Sequence, residues 1–502
     1  MKILQKILIV LFLFGVLTPL QAQRNYEEAI TKENAKKFIA KLYTDMQAFH
    51  PNLYQYFSKK DYDNVYEEIM QNLDTANFYN PDKLYALLQE FVALCRDGHS
   101  SVAREIPRKS YLNSNSKNAQ TAPSKRDSTV KVFPFIFNII NGKMYVSNNC
   151  FDNVDIPVKS EIISIGNQTT QEWLQSKRKE TIGERDAYRD AKISLYSSYK
   201  ILNVDSCKFG YIPYGLQDTL YKTLQCKIHI MQYEKCLSQY YNYDEENEIV
   251  TFRPLDEGRI GIIEMNYFYP VKTMLPFINK ALDSLKFYGV QDLIIDLRNS
   301  SGGHAESGYA LIDRITNKPY RTNFEEQFFI KHAMLTSENS EARKIYTSRK
   351  YLKKNEVNAI MQAGKDTVIT YQYPEIIPQE YKNKFTGRVW VLTSAFTFSA
   401  AAELAAIVQD CRLGTVVGDE TGGTQNCYGN LLFYPLSGVM DEKILRFYYI
   451  APYIKYIRPS GDDSMDLRGV IPDIEIEPNI IRNEDLQLQT LVEIIRNQIK
   501  FP

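Results

Sequence analysis

The chain has 502 residues, 44% of them hydrophobic and 24% charged, which is room for about three globular domains with a sizeable core. Lys+Arg and Asp+Glu are both 60, so nothing in the charge favours a nucleic-acid partner held by phosphate neutralisation. With only 5 His, and 7 scattered Cys that include no C-x-x-C pair, zinc ribbons and thioredoxin-like motifs are excluded, and neither a metal nor a cofactor is expected.

The N-terminus reads as a secretory signal over residues 1–22. Lys2 and Lys6 give the basic start, Ile7 to Leu17 is apolar apart from Gly15, and Ala22 offers a small residue at a cut before Gln23. The apolar run is too short to span a bilayer comfortably, so an exported protein, periplasmic or extracellular, with no stable membrane insertion is expected. Residues 23–106 read as a helical region. Glu33 to Tyr43 and Asp82 to Leu94 carry apolar residues at three- and four-residue spacing, and Pro51 and Pro81 punctuate them. The region ends in Asp97-Gly98-His99-Ser100. Residues 107–129 are polar and read as a linker.

Strand patterns begin at Val130. Residues 131–137, 143–146 and 156–166 alternate or run apolar, a helix is expected near Gln171 to Ser176, and a further strand over Leu224 to Met231. This makes a small β-rich module over 130–235. Residues 247–480 alternate short Val- and Ile-rich runs with helical stretches, the βαβ pattern of an α/β domain with parallel strands. The expected strands are Arg259 to Met265, Asp292 to Leu297, Arg388 to Thr393 and Thr415 to Val417. The helices are Thr273 to Phe287, Ala305 to Ile315 and Ser399 to Gln409. Asn317 to Lys384 is a long insertion, and a last amphipathic helix lies within 483–502.

Three segments carry chemistry. Asp296-Leu297-Arg298-Asn299-Ser300-Ser301-Gly302-Gly303 follows a buried strand, and paired glycines let backbone N–H groups face a site without Cβ obstruction. In Thr393-Ser394-Ala395-Phe396-Thr397-Phe398-Ser399-Ala400, a strand ends and Ser399 opens a helix. That serine is either an ordinary N-cap or a nucleophile with the Ala400 N–H beside it. Gly418-Asp419-Glu420-Thr421-Gly422-Gly423 is a glycine turn with no G-K-[ST] after it, so nucleotide binding is unsupported.

Together, these segments resemble the carboxyl-terminal processing (tail-specific) serine peptidase family, in particular its tricorn-core-like and interphotoreceptor retinoid-binding-protein-like members. The landmarks are Gly258 to Asn266, the D-L-R-N-x-x-G-G run, the Ser399 segment, G-D-E-T-G-G and Gly469-Val470-Ile471-Pro472-Asp473. The resemblance implies an α/β, ClpP/crotonase-like catalytic core. Glu161 to Gly166 resembles the E-I-L-x-I-N-G run of a divergent PDZ domain. In one branch of the family the base is a lysine, but Thr424 stands at that position here. The tricorn-like branch implies His99, in D-G-H-S, as base, and Asp466, three residues before Gly469, as its carboxylate. The serine that precedes the histidine in that branch is Gly98 here.

The chemistry expected from these residues is acyl transfer. A serine hydroxyl needs an adjacent base, and a carboxylate fixes the tautomer of a histidine base. Ser399, His99 and Asp466 are the expected catalytic residues, with the N–H groups of Gly302, Gly303 and Ala400 as the oxyanion hole. His304, directly after the glycine pair, competes with His99. The expected function is an exported serine endopeptidase acting on peptide or protein substrates near their C-termini. A non-catalytic binder of peptides or apolar ligands on the same fold, and an esterase or amidase, remain as alternatives.

Overall fold

The computed structural model describes residues 30–73, 78–79, 81–105, 129–149, 155–197, 204–241, 249–333, 362, 366–439, 446–481 and 484–499. The expected signal segment and nearly all of the 107–129 linker lie outside them.

The C-terminal half is built on a six-stranded sheet. Its order is Thr251–Leu255, Ile260–Glu264, Asp292–Asp296, Arg388–Thr393, Thr415–Gly418 and Ile474–Glu475. The first pair is antiparallel and every later pair is parallel. The inner strands Ile260–Glu264, Asp292–Asp296 and Arg388–Thr393 are mostly apolar and buried because both faces are covered. Ile263, Ile295 and Val391 face the helices Val271–Tyr288, Ala305–Ile315 and Ala400–Asp410. Ile262, Ile294 and Leu392 face the other way, onto Leu488, Leu491 and Ile495 of the last helix, Leu486–Ile499. The two-residue period of a strand thus divides one continuous apolar run between two cores.

A second, antiparallel sheet runs in the order Thr367–Gln372, Glu325–Ile330, Arg446–Ile457, Cys427–Pro435. The N-terminal helices Lys32–Phe49, Lys59–Leu73 and Pro81–Ala93 pack on it and share its core. Phe38 meets the Phe447 ring edge-on at 5.2 Å, and Phe49 stacks on Tyr434 at 3.9 Å. Ser101–Glu105, directly after the D-G-H-S run, adds itself antiparallel to Arg446–Ile450. The histidine segment is therefore fixed to the C-terminal half by a backbone ladder as well as by the helices.

The module between them has an antiparallel sheet in the order Leu220–Gln225, Ser206–Ile212, Glu161–Ile165, Lys143–Asn149, Phe135–Ile140. Its core is aromatic, with Phe133, Phe135, Phe137, Trp173 and Phe209. Helix Thr170–Lys179 starts where Thr169 and Glu172 form a reciprocal capping box. The expected strand over Leu224 to Met231 is instead the end of one strand, a short strand Lys227–His229 and the start of helix Ile230–Tyr241. Helix Asp186–Ser197 has no counterpart in the sequence reading, because its polar composition gives a weak apolar stripe.

Candidate active site

Ser399 lies between the strand Arg388–Thr393 and the helix Ala400–Asp410. Its backbone sits at φ 53° and ψ −128°, a region costly for a residue with a Cβ, and its side chain makes no capping hydrogen bond. The ordinary N-cap reading of this serine therefore does not hold. The turn before it is secured to the neighbouring strand end. Ser394 Oγ donates to the Arg298 carbonyl at 2.6 Å, Thr397 Oγ1 to the Leu297 carbonyl at 2.9 Å, and Phe398 N to the Ser300 carbonyl at 3.0 Å. The D-L-R-N run is itself anchored, since the Arg298 guanidinium forks between Asp296 and Asp485 at 2.6 Å each.

Gly302 presses against the serine. A Cβ there would stand 2.6 Å from the Phe398 carbonyl oxygen, 2.7 Å from Ser399 Cβ and 2.8 Å from the Ala400 nitrogen, and the residue has φ +86°. Gly303 pairs with Phe268, and a Cβ on it would lie 2.2 Å from that residue's carbonyl oxygen. Ala400 is the first residue of its helix, where an N–H has no partner within the helix. The Gly302 backbone and the Ala400 amide thus crowd the same side of Ser399.

His99 approaches from the N-terminal region. Its Nε2 lies 2.9 Å from Ser399 Oγ, across 300 residues of sequence, and its ring stacks on Phe398 at 4.8 Å. The loop is held by Asp97. One carboxylate oxygen accepts the His99 backbone N–H at 2.9 Å, and the other accepts from Ser100 Oγ at 2.7 Å and pairs with His50 Nε2 at 3.3 Å. The Asn52 N–H donates to His50 Nδ1, so His50 presents its proton to Asp97. Burial alone would raise the Asp97 carboxyl, but the His50 hydrogen bond and charge, then His99, outweigh it and hold it below the usual range. His99 itself is pushed down, first by burial and then by the nearby Lys192 charge, with Asp97 opposing. A neutral imidazole at this distance can take the serine proton.

The other expected residues are placed differently. Asp466 is exposed, and its Oδ1 accepts the Arg468 N–H at 3.0 Å. The buried His99 Nδ1 has no hydrogen-bond partner, so Asp466 is not brought onto the imidazole. His304 is exposed at the start of its helix, with its backbone N–H on the Phe268 carbonyl. Thr424 is buried and donates to the Asn426 carbonyl at 2.5 Å.

Three residues packed around the site were missed in the sequence. Glu184 is buried beside Gly98, where a Cβ would fall 2.6 Å from Glu184 Oε2 and 2.5 Å from the Phe398 ring. Tyr188 stacks flat on Phe398 at 4.4 Å, and Arg185 pairs with Glu420 at 2.8 Å and donates to the Thr421 carbonyl. The stretch Gly183 to Tyr188 carrying them has neither periodicity nor a recognised motif to mark it.

Residues 259–476 match the model of Peptidase family S41, in agreement with the resemblance to the carboxyl-terminal processing family. The family match supports a peptidase. No curated protein matches the sequence. Among solved structures, mature CPAF is 13% identical with a TM-score of 0.57, covering 88% of this chain and 92% of that one. Mature CPAF complexed with lactacystin is 14% identical with a TM-score of 0.59, covering 93% and 97%. At such identities the likeness is one of fold. Among the described residues no helix is long and apolar enough to cross a membrane.

Proposed function

We propose that the protein is an exported serine endopeptidase that works through an acyl-enzyme. The observation that carries this reading is the 2.9 Å contact between His99 Nε2 and Ser399 Oγ, formed by two segments 300 residues apart. Ser399 Oγ attacks the peptide carbonyl carbon while its proton passes to His99 Nε2. The N–H groups of Gly302, Gly303 and Ala400 receive the developing oxyanion. His99 then returns the proton to the leaving amine, and water releases the acyl group by the same steps in reverse order. Action near protein C-termini is the substrate preference that the family resemblance supports. Export rests on the basic and apolar N-terminal pattern, with a disulfide-bonded Cys236 in keeping with an oxidising compartment.

The test is covalent labelling with a fluorophosphonate, read as a mass shift on the peptide containing Ser399. Labelling that disappears in Ser399→Ala supports the enzyme. An unlabelled, correctly folded wild-type protein supports the non-catalytic binder instead.

A further inference from the structure

Resting on the serine-peptidase reading above, we infer that Glu184, contributed by the middle module, is the carboxyl group that positions the His99 imidazole. With Nε2 turned to Ser399, the ring's other nitrogen, Nδ1, is buried and has no hydrogen-bond partner. A general base in this position needs an acceptor for its Nδ1–H to fix the tautomer. Asp97 is committed elsewhere, to the His99 backbone, Ser100 and His50. Glu184 is 4% exposed, and neither of its carboxyl oxygens has a partner in hydrogen-bond geometry, although the backbone N–H groups of Gly98 and of Glu184 itself face the carboxyl group. A buried polar group left without a partner is costly, so two orphaned groups side by side point to each other. Ligand atoms of Asp97, His99 and Glu184 all lie within 4.8 Å of one another. That spacing would also admit a cation, but with Asp97 engaged through both oxygens and His99 Nε2 on Ser399, the trio is a poor set of free donors.

The backbone fits this role. Gly98 has no side chain, and Glu184 Oε2 and the Phe398 ring fill the space a Cβ would need. Arg96 Nε donates to the Glu184 carbonyl at 3.0 Å, which ties the two loops together on either side of the histidine. The charged and titratable groups facing Glu184 are Asp97 and His99 in the loop and Lys192 in the helix that follows Glu184, with Arg96 and Arg185 flanking and Tyr56, Cys95 and Cys427 on the facing wall. Burial pushes the Glu184 carboxyl up to about 8, with the Asp97 charge adding to it, while nearby backbone N–H groups and Lys192 oppose it.

At neutral pH, Glu184 is then mostly a neutral acid that offers its carbonyl oxygen to His99 Nδ1–H. Above about pH 8 it is a carboxylate and stabilises the imidazolium that forms when Nε2 takes the serine proton.

The experiment is the pH dependence of fluorophosphonate labelling at Ser399. In that reaction the Oγ–P bond forms, the P–F bond breaks, fluoride leaves and the serine proton passes through His99 to solvent. Wild type is expected to show two rises, one as His99 loses its proton and a second near pH 8. Glu184→Gln keeps a neutral acceptor, so it retains the first rise and loses the second. Glu184→Leu removes the acceptor and slows labelling at least ~10-fold at every pH, with native circular dichroism. Asp466→Asn keeps both rises. A second rise that survives in Glu184→Gln, or one that vanishes in Asp466→Asn, overturns the assignment. Absence of any labelling in wild type removes the serine reading and this inference with it.

Discussion

The two sides of the site reach the same contact by opposite routes. Ser399 is held by one contiguous α/β unit: two adjacent parallel strands, the turns that leave them and one helix, cross-linked by backbone and hydroxyl hydrogen bonds. His99 is held by three separate parts. Its loop leaves the N-terminal helices, its following strand joins the second sheet, and its ring is walled by Glu184 from the middle module. The serine side is therefore a property of a local fold, and the histidine side a property of assembly. Damage to the first should remove the chemistry. Damage to the second should weaken or retune it.

The largest expected effect is Ser399→Ala, which removes peptidase turnover and fluorophosphonate labelling while thermal unfolding is nearly unchanged. His99→Ala should lower kcat by ~10²-fold or more, the scale of a lost general base, whereas His304→Ala should leave kcat close to wild type. Both are checked by steady-state kinetics on a peptide substrate. A larger loss from His304→Ala would reverse the assignment of the base.

Gly302→Ala comes next. Its Cβ would meet the Phe398 carbonyl oxygen at 2.6 Å and the Ala400 nitrogen at 2.8 Å, in a backbone conformation that alanine resists. Backbone cannot swing aside as a flexible side chain can, so the serine turn must shift. A fall in kcat of ~10²-fold is expected, on the scale of one lost oxyanion donor. Unchanged kcat with normal folding would mean that the glycine backbone does not serve the transition state.

What could be read in advance follows the same division. The strands Arg388–Thr393 and Asp292–Asp296 and the helix Ala305–Ile315 are local patterns of apolar period and glycine punctuation, and they lie where the sequence placed them, to within a residue. Asp97-Gly98-His99 was visible as a motif, because loop chemistry concentrates in a few consecutive residues. Glu184 and Arg185 were not visible. Their value comes from packing against Gly98 and Glu420, contacts that no spacing in one chain encodes. Asp466 illustrates the converse. Position relative to Gly469 pointed to it, yet its carboxylate is exposed and accepts the Arg468 N–H. The hairpin of Cys427–Pro435 and Arg446–Ile457 was also missed, since Tyr-rich strands facing a helical layer mix polar and apolar signals.

The third prediction concerns pH. His99 must be neutral to accept the serine proton, and burial lowers its pKa from the usual 6.5. The sign is then fixed: the protonated, inactive form is populated only at lower pH than for an exposed histidine, so the acid limb of kcat/KM falls below pH 6.5. An ionised carboxylate partner on the ring, the role expected of Asp466, would put that limb higher. A pH–rate profile on a small ester decides between them. A limb near pH 7 or above would mean that an ionised carboxylate faces the ring throughout.

The smallest effect tests the assembly itself. Arg185 fastens the Glu184 loop to the glycine turn after Thr415–Gly418, pairing with Glu420 at 2.8 Å and donating to the Thr421 carbonyl. Glu420 is shared, since it also accepts from Arg468 Nε at 3.0 Å and from the Gly469 N–H at 2.7 Å. Removing Arg185 therefore leaves Glu420 with partners, and the penalty of an abandoned buried charge is reduced. The three main cores do not include Arg185, so global stability should move little. What is lost is the register of Glu184 against His99. Arg185→Ala should lower kcat about 10-fold, a modest case of the cost of misplacing a catalytic group, with KM and the melting temperature close to wild type. Arg185→Lys should recover part of this, because a lysine can keep the charge but not the forked reach to both Glu420 and the backbone. Equal losses of kcat and of melting temperature would instead show that the module is needed for folding, and that the histidine side is no more separable from the fold than the serine side.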